Sequence, residues 1–103
     1  MARDPYVQRL INQQKCDDIE EILEEQGFTH LKVERRRGDH LVIYSKEDGQ
    51  KISRARLTET SPDSYQLGFA DHTGRWESTP FFGTIPELVQ ALIEQFSWVL
   101  TDY

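Results

Sequence analysis

An apolar stripe at helical spacing closes the chain and constrains its fold more than any other feature. Thr84 and Glu87 match a capping box, and Pro86 stands in the first turn, so a helix begins there. Apolar side chains then recur three and four positions apart, which predicts one wide buried helix face. These side chains are Ile85, Leu88, Val89, Leu92, Ile93, Phe96, Val99 and Leu100. Such a face has to pack on a large apolar surface, so the rest of the chain must supply one.

The middle of the chain is typical of strands, because short runs of alternating apolar and polar residues are separated by turn residues. Four or five strands are predicted, at residues 29–37, 40–46, 51–60, 65–69 and 76–82. Ile52 and Leu57 stand at opposite parity in the third strand, which indicates a bulge or two covered faces. Pro80 is tolerated only on an edge strand or at a bulge, so the fifth strand is expected at an edge.

The first element is predicted to be a helix that ends at Gly27. Its apolar stripe consists of Val7, Leu10, Ile11, Ile19, Ile22 and Leu23. Asp17 with Glu20 matches a second capping box, which leaves open a break near Cys16. Gly27 suits the left-handed position of a Schellman motif, which places Phe28 against Leu23.

These elements predict one α+β domain spanning residues 1–103. We expect a two-layer sandwich with an N-terminal helix, a four- or five-stranded antiparallel meander, and a C-terminal helix packed on the sheet. Over most of the chain this order loosely resembles that of double-stranded RNA-binding domains. In that family a lysine cluster opens the second helix and grips phosphates, whereas here the helix opens with Thr84, Ile85, Pro86 and Glu87. The resemblance therefore concerns element order alone, and we transfer no site residue from it.

The charge of the chain is negative overall but unevenly distributed. The net charge of −6 disfavours general attraction to nucleic acid or to anionic membranes. Residues 29–60 nevertheless carry eight basic and five acidic side chains, so a basic segment lies between two acidic ones. No run approaches the ~18 apolar residues of a membrane span. With one cysteine and no apolar secretion signal behind Met1, we expect a cytoplasmic protein that does not bind membranes.

Residues suited to catalysis or metal binding are few. The three histidines, His30, His40 and His72, follow no metal-ligand spacing, and the single Cys16 rules out a C-x-x-C motif. Cys16 stands beside Asp17, whose negative charge raises a thiol pKa instead of lowering it. Neither a G-x-S-x-G motif nor a glycine-rich phosphate loop is present. We therefore expect a protein that is not an enzyme and needs no cofactor or metal.

The leading hypothesis is a non-catalytic protein-interaction or regulatory module that acts through its sheet surface or its acidic first helix. Tryptophan, tyrosine and arginine are enriched at protein interfaces, and the predicted sheet carries all three. The candidate partner-binding residues are Tyr44, Trp76, Arg35, Arg37, Arg54 and Arg56. Strict alternation would place Arg54 and Arg56 on the same face. The partner would be another protein or a second copy of the chain.

The alternative hypothesis is a nucleic-acid-binding domain that uses the arginine-rich strands. Arg35, Arg36, Arg37, Arg54 and Arg56 would contact phosphates, and Tyr44 and Trp76 would stack on bases. Cross-strand pairing with acidic residues such as Glu34 would instead neutralise these arginines. The negative net charge favours the protein-interaction hypothesis.

Overall fold

A computed structural model describes residues 5–36, 40–71, 73 and 75–101, except for the side chains of residues 5, 6, 8, 9, 12 and 101. The helices and strands follow in the order α1 (Pro5–Glu25), β1 (Leu31–Arg36), β2 (His40–Glu47), β3 (Gln50–Ser61), β4 (Ser64–Ala70), β5 (Trp76–Gly83), α2 (Ile85–Gln95) and α3 (Ser97–Thr101). The predicted turn at Gly38 and Asp39 lies outside the described residues, as does His72.

The five strands form one antiparallel sheet in sequence order, which confirms the α+β meander. Leu41 of β2 lies opposite Leu57 of β3, so apolar side chains meet on one face of the sheet. The β2–β3 turn contains Asp48 and Gly49 at φ values of 50° and 79°. Two successive left-handed residues match the right-handed twist of a hairpin, which explains the sharp reversal there.

The helices pack on a single face of the sheet, which we call the covered face. Its centre is fully buried, as Ile43, Leu57 and Leu67 show. The core also includes Ile19 and Leu23 of α1. The remaining buried helical residues of the core are Cys16 of α1 and Leu88, Val89, Leu92, Val99 and Leu100 of the C-terminal helices. The predicted packing of the closing helical segment on the sheet is therefore confirmed.

Two irregularities in the sheet match features of the sequence. The register between β2 and β3 shifts next to Ile43 and Tyr44, because Arg54 of β3 has no residue opposite it. This is the bulge that the parity of Ile52 and Leu57 indicated. Pro80 lies in β5, which is an edge strand, and the pairing of β4 with β5 also shifts register.

The first helix ends as predicted but is otherwise longer and less buried than its stripe suggests. Phe28 N–H donates to Leu23 O at 2.9 Å and Gly27 N–H donates to Glu24 O at 3.0 Å, the two bonds of a Schellman motif. The helix runs through Cys16 without a break. Leu10 remains 54% exposed, so only the C-terminal half of the stripe packs on the sheet.

The C-terminal stripe is divided between two helices. The capping box forms as predicted, with Thr84 Oγ1 accepting from Glu87 N–H and Glu87 accepting from Thr84 N–H. Phe96 then leaves the helical conformation and packs against Phe69 at a ring-centroid distance of 5.0 Å. The chain resumes as α3, which buries Val99 and Leu100. Within the described residues, no helix combines the length and apolar character that crossing a membrane requires.

Candidate partner-binding face

The side of the sheet turned away from the helices, which we call the open face, holds the candidate site. Strand register assigns it Lys32, Glu34, Arg36, His40, Val42, Tyr44, Lys46, Lys51, Ser53, Arg56, Thr58, Gln66, Gly68, Ala70, Trp76, Ser78 and Phe82. Within the described part of the chain, no helix packs on this side. Val42 is nonetheless only 2% exposed, although it does not belong to the core cluster on the covered face.

Arg56 and Trp76 form the first ordered pair on the open face. The guanidinium carbon of Arg56 lies 4.6 Å from the centre of the Trp76 ring, a cation–π distance. Gly68 lies directly opposite Arg56 on β4. A β-carbon at Gly68 would approach Arg56 Cγ to 3.3 Å, so the missing side chain leaves room for the arginine stem. Glycine is thus favoured here by close approach, not by its backbone conformation.

A second group joins β1 and β3 through the carboxylate of Glu34 and reaches β2 through the ring of Tyr44. Arg36 Nε donates to one of its oxygens at 2.9 Å and Lys51 Nζ donates to the other at 2.9 Å. Lys51 Nζ also lies 5.0 Å from the centre of the Tyr44 ring. Arg36 additionally donates to Ser53 Oγ at 3.0 Å. These contacts hold the two cationic side chains in place on the sheet.

The electrostatics of the open face follow from these contacts. Hydrogen bonding from Lys51, opposed by partial burial and supported by Arg36, lowers the pKa of Glu34. The same contact with Glu34 raises the pKa of Lys51. Burial alone lowers the pKa of Arg56, which hydrogen-bonds to no carboxylate among the described residues. Among the described residues, strand register places five cationic side chains and one carboxylate on this face, and Lys32 also pairs with Glu20 of α1 at 3.9 Å. The excess of positive charge favours the approach of anionic groups.

The structure brings together three of the six residues selected from the sequence. Tyr44, Trp76 and Arg56 lie on the open face. Arg35 is exposed, but it lies opposite core residue Leu41 and so belongs to the covered face. Arg37 lies outside the described residues.

Arg54 does not share a face with Arg56, contrary to strict alternation. It is 4% exposed, and its Nε donates to Ser45 Oγ at 3.1 Å. Ser45 has the parity of Ile43 and is 2% exposed, which places this contact on the covered side. The bulge at Arg54 explains the difference, since one extra residue reverses the alternation of the strand. Arg54 also donates to Glu47 at 3.2 Å.

Two residues of the candidate site carried too weak a signal to be selected from the sequence. Glu34 was recognised only as a neutralising partner, whereas in the structure it orients both Arg36 and Lys51. Gly68 resembles any strand glycine until the register places it opposite Arg56. An isolated glycine inside a strand pattern does indicate close approach, but it does not say of what.

Cys16 and the potential metal ligands are two further features of the described residues. Burial, followed by the negative charges of Glu20 and Asp17, raises the pKa of the Cys16 thiol to about 11. The thiol is therefore protonated at neutral pH, the inactive form of a nucleophile. In the segments 5–36, 40–71, 73 and 75–101, no three His, Cys, Asp or Glu residues are placed to share a metal ion.

Comparisons of the chain with protein-family models, with curated proteins and with solved structures found no match.

Proposed function

We propose that this chain is a non-catalytic protein-interaction module that binds an acidic surface of a partner protein through its open face. The observation that carries the proposal is the guanidinium of Arg56, which lies on Trp76 without a carboxylate partner among the described residues. A planar guanidinium held on an aromatic ring is preorganised to bind a carboxylate through two parallel hydrogen bonds. Arginine and tryptophan are also the residues that most often dominate binding energy at interfaces.

Preorganisation supports a binding role for the rest of the open face. Long cationic side chains normally lose rotamer freedom when they bind, at a cost of about 0.5–1.5 kcal/mol each. Lys51 and Arg36 are already held by Glu34, so less of that cost remains. Phe82, at the β5 side of the face, is 59% exposed and offers apolar area beside the cations.

An acidic protein surface fits the face better than a nucleic acid does. Base stacking needs free ring faces, whereas Lys51 lies over Tyr44 and Arg56 lies over Trp76. Phosphate binding needs several unpaired cations, whereas Arg36 and Lys51 share the carboxylate of Glu34. A face-to-face homodimer is disfavoured as well, since it would bring two cationic faces together.

Selection of peptides from a random library on the wild-type chain tests the proposal. We expect the selected peptides to be rich in aspartate and glutamate. Their binding should weaken about tenfold or more in Arg56→Gln, because a charge-assisted bidentate contact is lost. Arg35→Gln is the matched control: it removes the same charge from an exposed arginine on the other face, and we expect less than about a twofold change.

Four outcomes would contradict the proposal. The first is selected peptides without carboxylates, and the second is equal losses in Arg56→Gln and Arg35→Gln. The third is tighter binding of a single-stranded oligonucleotide that weakens steeply with salt and depends on Arg56, which would establish the nucleic-acid alternative. The fourth is a selected peptide that binds only to a dimer of the chain, which light scattering would detect.

A further inference from the structure

A cleft on the helical side of the molecule is separate from the open face. It lies between α1, the β3–β4 turn and the beginning of α2, and its volume is about 820 Å³. This is within the range of roughly 300–1,000 Å³ that small-ligand sites occupy. Ile22, Ile85 and Pro86 supply apolar surface inside it. The cleft is therefore large enough for several side chains of a ligand and apolar enough to bury some of them.

The rim of the cleft is acidic. Asp18, Glu21 and Glu25 of α1 face Asp63 of the β3–β4 turn, and Lys15 is the one basic residue among the lining residues. Within the described part of the chain, Glu21, Glu25 and Asp63 form no ion pair. Four carboxylates around an apolar interior match a ligand that combines positive charge with aliphatic side chains.

Tyr65 gives a second, independent indication of a ligand. It lines the cleft and is only 3% exposed, yet its hydroxyl forms no hydrogen bond with any described residue. Since the hydroxyl oxygen is not among the enclosed unpartnered atoms of the described residues, it opens onto the cleft, where a bound group can donate a hydrogen bond to it or accept one from it. Lys15 Nζ lies 5.5 Å from the centre of the same ring, which shows that this position accepts a cation.

We propose that this cleft binds a cationic amphipathic peptide segment of a partner protein. Lysine or arginine side chains of the segment would pair with the carboxylate rim. Its aliphatic side chains would pack on Ile22 and Ile85, and a polar group would reach the Tyr65 hydroxyl. The cleft is acidic, lies on the helical side and would bind a cationic segment, whereas the open face is cationic and would bind an acidic surface. The two proposals can therefore fail separately.

The test uses the full chain and three probes: the capped peptide Lys-Leu-Leu-Lys, its counterpart Glu-Leu-Leu-Glu, and spermine. Two-dimensional amide NMR spectra are recorded as each probe is added up to millimolar concentration. We expect Lys-Leu-Leu-Lys to shift the signals of Ile22, Tyr65 and Ile85, and Glu-Leu-Leu-Glu to leave them unchanged. Spermine should bind about tenfold more weakly, because it lacks branched apolar groups to bury. Equal binding of spermine, or no shift with Lys-Leu-Leu-Lys, would overturn the proposal.

Matched variants locate the binding site. Glu21→Lys should weaken Lys-Leu-Leu-Lys binding about fivefold or more, since it reverses a charge on the rim. Glu24→Lys makes the same change at an exposed α1 position outside the cleft, and we expect less than about a twofold effect. Lys15→Gln should strengthen binding, because it removes the competing cation from the Tyr65 ring. Equal effects of Glu21→Lys and Glu24→Lys would show general charge attraction and contradict a built site.

Discussion

The two faces of the sheet are built from the same five strands but are stabilised by different interactions. On the covered face, Ile43, Leu57 and Leu67 are fully buried under the helices. On the open face, cations lie on aromatic rings and share one carboxylate, Glu34. Burial of apolar area is the larger free-energy term, whereas exposed ion pairs contribute about 0–1 kcal/mol each. The fold therefore depends on the covered face, and the open face can be adapted to binding at small cost in stability.

The largest expected contrast comes from truncating one apolar side chain on each face. Leu57→Ala should lower the free energy of unfolding by about 2–5 kcal/mol, because it leaves a cavity under the helices. Phe82→Ala, at an exposed position on the open face, should change it by less than about 0.5 kcal/mol. Urea unfolding followed by circular dichroism measures both. Similar losses for the two variants would mean that the open face is also part of the core.

The next largest effect on stability is expected at the capping box that begins α2. Thr84→Ala removes the side-chain acceptor for Glu87 N–H and should lower the free energy of unfolding by about 1 kcal/mol. Thr84→Ser keeps the acceptor and serves as the control, with a loss of less than about 0.5 kcal/mol. If the two substitutions are equally destabilising, the hydrogen bond from Glu87 N–H to the Thr84 side chain contributes nothing to the free energy of unfolding.

A smaller effect on stability, but a clear one on binding, is expected from Gly68→Ala. The added methyl group would crowd Arg56 Cγ and Nε, which lie 3.3 and 3.4 Å from its position, and push the guanidinium away from Trp76. Stability should change by less than about 1 kcal/mol, since alanine is otherwise preferred over glycine in a strand. Acidic-peptide binding should nevertheless weaken. Gly83→Ala, whose added carbon would have the Glu87 side chain as its nearest neighbour, is the control and should leave peptide binding unchanged.

The smallest effect is a dependence of stability on pH through Glu34. Its pKa is lower in the folded chain, chiefly through the hydrogen bond from Lys51, so its contribution is present above the ordinary carboxyl pKa. That contribution is lost as the pH falls through the lowered value. The difference in unfolding free energy between wild type and Glu34→Gln should therefore shrink from pH 7 to pH 3. A constant difference over that range would show that the Glu34 charge has no stabilising role on the open face.

Hydrophobic periodicity was sufficient to predict the layers, because burial of one face per element imposes that periodicity. The strand meander, the Schellman motif at Gly27 and the capping box at Thr84 all follow from local residue preferences. The break at Phe96 did not follow, since its ring packs on Phe69, which is distant in the sequence.

The candidate site was less predictable than the fold for a related reason. The sequence indicated a bulge in β3, but alternation does not say which residue of the strand is the extra one. In the structure the extra residue is Arg54, and the bulge turns its side chain to the covered side. Contacts such as Glu34 with Lys51 depend on strand register across three strands. The residue types of the open face could be read from the sequence, whereas their pairing required coordinates.

The two tryptophans provide the most direct test, because Trp76 lies on the open face and Trp98 lies on α3 beside Phe69. Their indole N–H signals can be followed in one NMR titration of the wild-type chain with a selected acidic peptide. Binding at the open face predicts that the Trp76 signal shifts while the Trp98 signal stays in place. A titration in which the peptide binds and only Trp98 responds would contradict the assignment of binding to the open face.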